Sequence, residues 1–294
     1  YPQAGCLFVD LGQAALPTPV AETRRMPGVR QGAKNAMSSL FSLHGKRALV
    51  TGGAQGLGRM IAQGLLSAGA SAAITSRKEE VCRQAAAELA EFGECRPLAA
   101  DLSSPSAATE LAERYLEAFE TCDILVNNAG KTWGGPIHSF PDKAWTDVMT
   151  VNVQAPFALI RDILPALVAA GKPLDPARII NIGSVAGMKP EGLQAYSYSA
   201  SKAALHMLTR DLAGELAAQN ITVNAVIPGY FPTKMTAHMR DEDAVDPDLL
   251  AHIPLRRLGR ADEIAGVVVY LCSNAGSYVT GALIPVDGGL VGCS

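Results

Sequence analysis

The chain has 294 residues, 48% of them hydrophobic, with 25 basic and 28 acidic side chains and a formal charge of −3. That length can bury a large single α/β core, while the near-neutral balance excludes the long-range attraction on which binding to nucleic acid or to an anionic membrane surface depends. The composition points to a soluble protein working on a small molecule.

Residues 1–43 stand apart, rich in Pro, Gly and Ala without a sustained helical or strand period. Their first basic residue is Arg24, after Asp10 and Glu22, so the basic-then-apolar pattern of a secretory signal is missing. This stretch reads as a leader outside the fold, with Met37 a natural start and organelle targeting through Arg24, Arg25, Arg30 and Lys34 left open. Residues 44–294 read as one catalytic domain.

From Lys46 onward short β-rich runs alternate with alanine-rich helical stretches, the signature of repeated βαβ units. Strands are predicted at 47–51, 71–75, 96–100, 123–127, 178–183, 221–227 and 282–285, and helices at 56–68, 79–92, 106–119, 142–170, 199–218 and 262–273. The expected fold is α/β, a single Rossmann-like doubly wound parallel sheet of about seven strands with helices on both faces. Apolar runs such as 266–272 fall far short of the ~20 residues of a membrane span. Cysteines 6, 82, 95, 122, 272 and 293 form no Cys-x-x-Cys pair and have no histidine at metal-ligand spacing. They read as reduced thiols of a cytoplasmic protein without a metal site.

The first strand runs into Thr51-Gly52-Gly-Ala-Gln55-Gly56-Leu57-Gly58, which opens the first helix. Glycines there let the backbone approach a pyrophosphate, and the helix start offers free N–H groups and a positive dipole end. At the end of the second strand an acid would bind an adenosine 2′-hydroxyl, but Thr75-Ser76-Arg77-Lys78 contains none. Arg77 can fork onto a 2′-phosphate with Ser76 adding a donor, so NADP(H) is expected over NAD(H).

Taken together, Thr51-Gly52-x-x-x-Gly56-x-Gly58, Asn127-Asn128-Ala129-Gly130, Ser184, Tyr198-x-x-x-Lys202 and Pro228-Gly229 resemble the short-chain dehydrogenases/reductases over residues 44–292. Within that family, Asn-Ile-Gly-Ser-Val-Ala-Gly at 181–187 and Tyr196-Ser-Tyr198 are similar to the 3-oxoacyl reductases, including the bacterial type associated with rhamnolipid precursors. The resemblance implies reduction of a ketone, with a 3-oxoacyl thioester as the leading substrate. Another secondary alcohol or ketone (sugar, steroid, xenobiotic) and a non-catalytic nucleotide sensor or scaffold are the alternatives. It further implies that Asp101 and Leu102 meet the adenine, that Asn127, Asn128, Ala129 and Gly130 line the cofactor groove, that Thr233 meets the nicotinamide, and that the chain forms a homotetramer through 142–170, 199–218 and the last strand. Asp101 reads equally well as a helix N-cap.

Hydride transfer to a carbonyl leaves charge on the oxygen, so the site needs a proton donor and preorganised hydrogen bonds. Tyr198 and Lys202 are one helical turn apart and project from one face. Bringing a phenol from ~10 to ~7 takes about 4 kcal/mol, which an ammonium ~4 Å away supplies at a dielectric near 20. Tyr196 is out of register with Lys202 and is placed in the pocket wall. Ser184 is expected to bond the substrate oxygen, and Asn152, by resemblance, to hold a water in the proton relay. Residues 231–253 read as a lid, and Met188, Tyr196, Phe231 and Met235 as substrate pocket. The acidic 241–248 stretch offers an acidic carrier protein no basic dock, which leaves a coenzyme A thioester or a free ketone open.

Overall fold

The computed structural model describes residues 39–233, 240–241 and 244–293. Most of the expected leader and Met235 lie outside the described residues.

Seven strands, β1 (Arg47–Val50), β2 (Ser71–Ile74), β3 (Cys95–Pro97), β4 (Ile124–Asn127), β5 (Ala177–Ile182), β6 (Ile221–Pro228) and β7 (Leu283–Val286), form one sheet in the order β3-β2-β1-β4-β5-β6-β7. Every pairing in it is parallel. β4, β5 and β6 are buried along their whole length, as strands covered on both faces must be. Neighbouring residues of one strand feed opposite cores, because side chains alternate across a sheet. Val50, Val126 and Ile180 pack under helices α1 (Gly56–Ser67), α2 (Glu79–Leu89) and α8 (Ala261–Cys272). Leu49, Leu125 and Ile179 pack under α3 (Pro105–Phe119), α5 (Ala155–Ala170) and α6 (Tyr196–Leu216). Arg178 of β5, 1% exposed, donates to the carbonyls of Leu271 and Ser273 and ties the end of α8 to the sheet.

The strand order reverses between β1 and β4: after β1 the chain builds outward to β3, then returns to the other side. Loops leaving these two strands diverge and open a crevice at the carboxyl edge, where ligands of doubly wound sheets bind.

The predicted helix 142–170 is divided. α4 (Asp142–Met149) and α5 are joined by a π turn, Thr150–Gln154, in which the Ala155 amide bonds back to the Thr150 carbonyl. The whole segment, Asp142–Ala170, spans 29 residues and is apolar enough by length and composition to cross a bilayer, contrary to the expectation from shorter runs. Its apolar side chains Leu159, Ile163 and Leu167 instead lie in the core against α3. α6 starts at Tyr196, earlier than predicted, which puts Tyr198 in its first turn. Asp101 is not a helix cap: Ser104 caps α3 by accepting from the Ala107 amide at 3.3 Å, and Asp101 accepts locally from the Ser103 amide. A short helix, α7 (Pro247–His252), lies within the region expected as a lid.

Candidate active site

Three devices shape the crevice. Gly52 and Gly56 have φ of +66° and +55°, left-handed values that side chains oppose. A Cβ on Gly58 would stand 2.3 Å from the Gly52 carbonyl oxygen and 2.4 Å from Asn128 Nδ2, so the turn closes only over a glycine. Thr51 Oγ1 accepts from the amides of Asn128 (2.9 Å) and Ala129 (3.0 Å), while Asn128 Nδ2 donates to the Thr51 carbonyl at 2.8 Å, stitching the loops after β1 and β4 together.

Helix α1 begins at Gly56 with no side-chain cap from Gln55 and no acid in its first turn. Its free N–H groups and dipole therefore face the crevice uncompensated, which fits a pyrophosphate. Arg77 is exposed at the end of β2 and makes no ion pair among the described residues, whereas Arg59 is taken up by Glu88 at 2.6 Å. A free guanidinium beside Ser76 fits a 2′-phosphate. Thr233 reaches the same turn, its Cγ2 3.5 Å from where a Gly56 Cβ would lie. Two expected groove residues are placed otherwise. The Leu102 side chain belongs to the core, and Asn127, 3% exposed, donates to Asn181 Oδ1 (2.9 Å), whose own amide donates to Thr209 of α6. Asn127 thus ties β4, β5 and α6 rather than lining the groove.

On the far side of the crevice the proposed catalytic residues converge. Ser184 follows β5, is 9% exposed, and accepts from the Ala186 amide at 3.2 Å. Lys202, 4% exposed, donates from Nζ to the Ile182 carbonyl at 2.7 Å. Asn152 sits in the π turn, 1% exposed, with every polar atom used. Its Oδ1 accepts from the Lys131 amide (2.8 Å), and its Nδ2 donates to the Lys131 carbonyl (2.9 Å) and to Ser201 Oγ (2.8 Å), which in turn donates to the Tyr198 carbonyl. A Cβ on Gly130 would lie 3.6 Å from Asn152 Oδ1 and 3.8 Å from Lys202 Nζ, so the loop after β4 meets both.

The electrostatics differ from the sequence expectation. Lys202 Nζ stands 5.7 Å from the Tyr198 ring centroid, and burial brings its ammonium down to about 8. The Tyr198 phenol is raised above its ordinary value, first by burial and then by the charge of Glu191, with the neighbouring Ser184 hydroxyl opposing. Lys202 therefore does not pull the phenol down toward pH 7 in the protein alone, and the group stays protonated. A neutral phenol held as a proton donor is what reduction requires.

Pocket residues are split as well. Tyr196, 38% exposed, has its ring edge-on to Phe140 at 5.5 Å, and Met188 is 44% exposed. Phe231 is corrected: it is 2% exposed, packed in the main core against Gly259.

Several contributors gave no sequence signal. His206, one turn beyond Lys202, is buried behind Ser184, accepts from its amide through Nε2 (3.4 Å), and is driven down to about 4 by burial and by Lys202. Lys131, Asn181 and Ser201 brace the catalytic groups. Their roles depend on partners far along the chain, which local patterns do not encode. Among the described residues no group of three or more metal-ligating side chains occurs.

A family profile described as enoyl-(acyl carrier protein) reductase matches residues 52–291. The rhamnolipids biosynthesis 3-oxoacyl-[acyl-carrier-protein] reductase of Pseudomonas aeruginosa is 48% identical over 254 residues, 86% of this chain and 99% of that one. The 2-dehydro-3-deoxy-D-gluconate 5-dehydrogenase of Bacillus subtilis is 37% identical over 249 residues, 85% of this chain and 96% of its own. Among solved structures, the Pseudomonas aeruginosa RhlG/NADP active-site complex superposes with a TM-score of 0.84 at 47% identity, covering 86% of this chain and 99% of that one.

Proposed function

The chain belongs to the short-chain dehydrogenase/reductase family, and from that premise we propose that it is an NADPH-dependent reductase of ketones, with a 3-oxoacyl thioester as substrate and a 3-hydroxyacyl thioester as product. The observation that carries this reading is the convergence of Ser184, Tyr198, Lys202 and Asn152 on one side of a crevice whose other side is an uncapped helix start.

The N–H groups at the start of α1, with Gly52 and Gly56, would hold the pyrophosphate, and Ser76 and Arg77 the 2′-phosphate. When bound, the nicotinamide supplies the hydride. Ser184 orients the substrate carbonyl by donating to its oxygen, and the protonated Tyr198 delivers its proton there as charge develops. Lys202, whose ammonium burial brings down to about 8, then restores the Tyr198 proton. Asn152 fixes the loop after β4 through both backbone groups of Lys131 and keeps that side of the site closed. The relatives support the substrate class: one of 48% identity is a 3-oxoacyl reductase. A sugar-acid dehydrogenase is the second reading, favoured by the Bacillus relative.

A homotetramer is part of the proposal. Phe157 and Val168 on α5, Met207 on α6 and Tyr278 before β7 expose 46%, 40%, 56% and 102% of their surface, apolar area that subunit contacts would cover.

NADPH oxidation measured over 3-oxoacyl thioesters of increasing chain length, beside sugar acids and simple ketones, tests the substrate. Sugar acids outpacing every thioester would overturn it. Equal or better efficiency with NADH would overturn the cofactor assignment to Arg77.

A further inference from the structure

Between Ser184 and Tyr198 the chain carries a single acid, Glu191. Its loop is held in one shape at both ends. The Lys189 amide bonds the Val185 carbonyl (3.0 Å), Gly192 and Gln194 take left-handed φ of +70° and +51°, and the Gln194 carbonyl accepts from the Gly135 amide (3.2 Å). A left-handed glutamine is uncommon and indicates a loop fixed by its surroundings. Across the crevice mouth, Tyr230 immediately follows Pro228-Gly229 and donates from its hydroxyl to Glu191 Oε2 at 2.6 Å. This short bond to a carboxylate joins the segment before α6 to the segment after β6. Among the described residues no cation forms an ion pair with Glu191, and Lys189 two positions away does not reach it. The bond holds the carboxylate between the loop that follows Ser184 and the segment that follows Pro228-Gly229, both of which border the crevice.

A fixed negative charge between those two segments, without an ion pair among the described residues, acts on whatever approaches it. We propose that Glu191, braced by Tyr230, is a charge filter at the substrate mouth. It turns away ketones that carry a carboxylate or phosphate close to the reacting carbonyl and favours uncharged acyl and ketone groups whose ionised parts lie far along the molecule. The inference rests on the reductase reading above and sharpens it, because sugar acids are the kind of substrate the filter opposes. Unit charges roughly 10 Å apart at an effective dielectric near 20 discriminate on the order of ten-fold.

The test compares kcat/KM with NADPH for acetoacetate and for its ethyl ester, in wild type, Glu191→Gln and Glu191→Asp, at low and high salt. Each preference is a ratio within one variant, so partly inactive preparations do not distort it. The wild-type preference for the ester should fall on the order of ten-fold in Glu191→Gln, persist in Glu191→Asp, and shrink with added salt only where the charge is present. A preference unchanged in Glu191→Gln, or an Asp variant that behaves like Gln, overturns the filter while leaving the reductase reading intact. Wild-type protein that reduces neither the ketones nor any thioester overturns both.

Discussion

Replacing Asn152 by alanine removes three hydrogen bonds at once from a position that is 1% exposed. At about 1 kcal/mol net each, and with the Lys131 amide and carbonyl left to find other partners, the loss comes to roughly 3–5 kcal/mol. For a domain of this size that corresponds to a fall in Tm of roughly 6–20 °C. The π turn sharpens the expectation, since it aims the carboxamide at Lys131 and Ser201 and a regular helix would not. Asn152→Asp is the informative companion. It keeps an acceptor for the Lys131 amide but points a second oxygen at the Lys131 carbonyl, so it should be destabilised as well despite its matching shape. Thermal unfolding of the protein without cofactor, followed by kcat for each variant, checks the reasoning. We expect kcat to drop on the order of 100-fold as the loop of Gly130 and Lys131, which lies against Lys202, loses its anchor. If the alanine variant melts within about 2 °C of wild type, the carboxamide is not the strut described here.

Tyr198→Phe should lower kcat by on the order of 1,000-fold with cofactor affinity retained, and Tyr196→Phe should keep most activity; the reverse ranking in steady-state kinetics would reassign the acid. Gly58→Ala places a methyl group 2.3 Å from the Gly52 carbonyl, so NADPH affinity by fluorescence titration should weaken at least ten-fold, and unchanged binding would show that the turn has room to shift. His206 is held at about 4 when folded, below the ~6.5 of the unfolded chain, so the unfolded state binds more protons between those values. Stability should therefore fall as pH drops through that window, by about 2 kcal/mol between pH 7 and 5 from this group. Denaturant titrations should show the part due to His206 vanish in His206→Gln; an identical pH dependence in both proteins would exclude the mechanism.

The order of strands and helices was legible because buried parallel strands and amphipathic helices impose different periods on the sequence, and because a nucleotide turn requires glycines where the backbone turns left-handed, as at Gly52 and Gly56. The Tyr198 and Lys202 pair was legible for a similar reason: one helical turn is a local distance. What lay beyond reach were consequences of neighbours distant in sequence. A π turn adds one residue to a helix whose apolar pattern barely changes, so 142–170 read as continuous although Asn152 depends on the break. Spacing alone suggested that Lys202 would lower Tyr198, whereas the folded chain buries both groups and directs the ammonium to the Ile182 carbonyl. Phe231 looked like pocket lining until the fold packed it on Gly259, and Glu191 gained a partner in Tyr230 only when β6 brought it across the mouth. The sequence by itself determined which chemical groups the site owns, since those follow from local pattern. Tertiary structure decided their charge states and the character of the entrance, because burial and long-range contact set both.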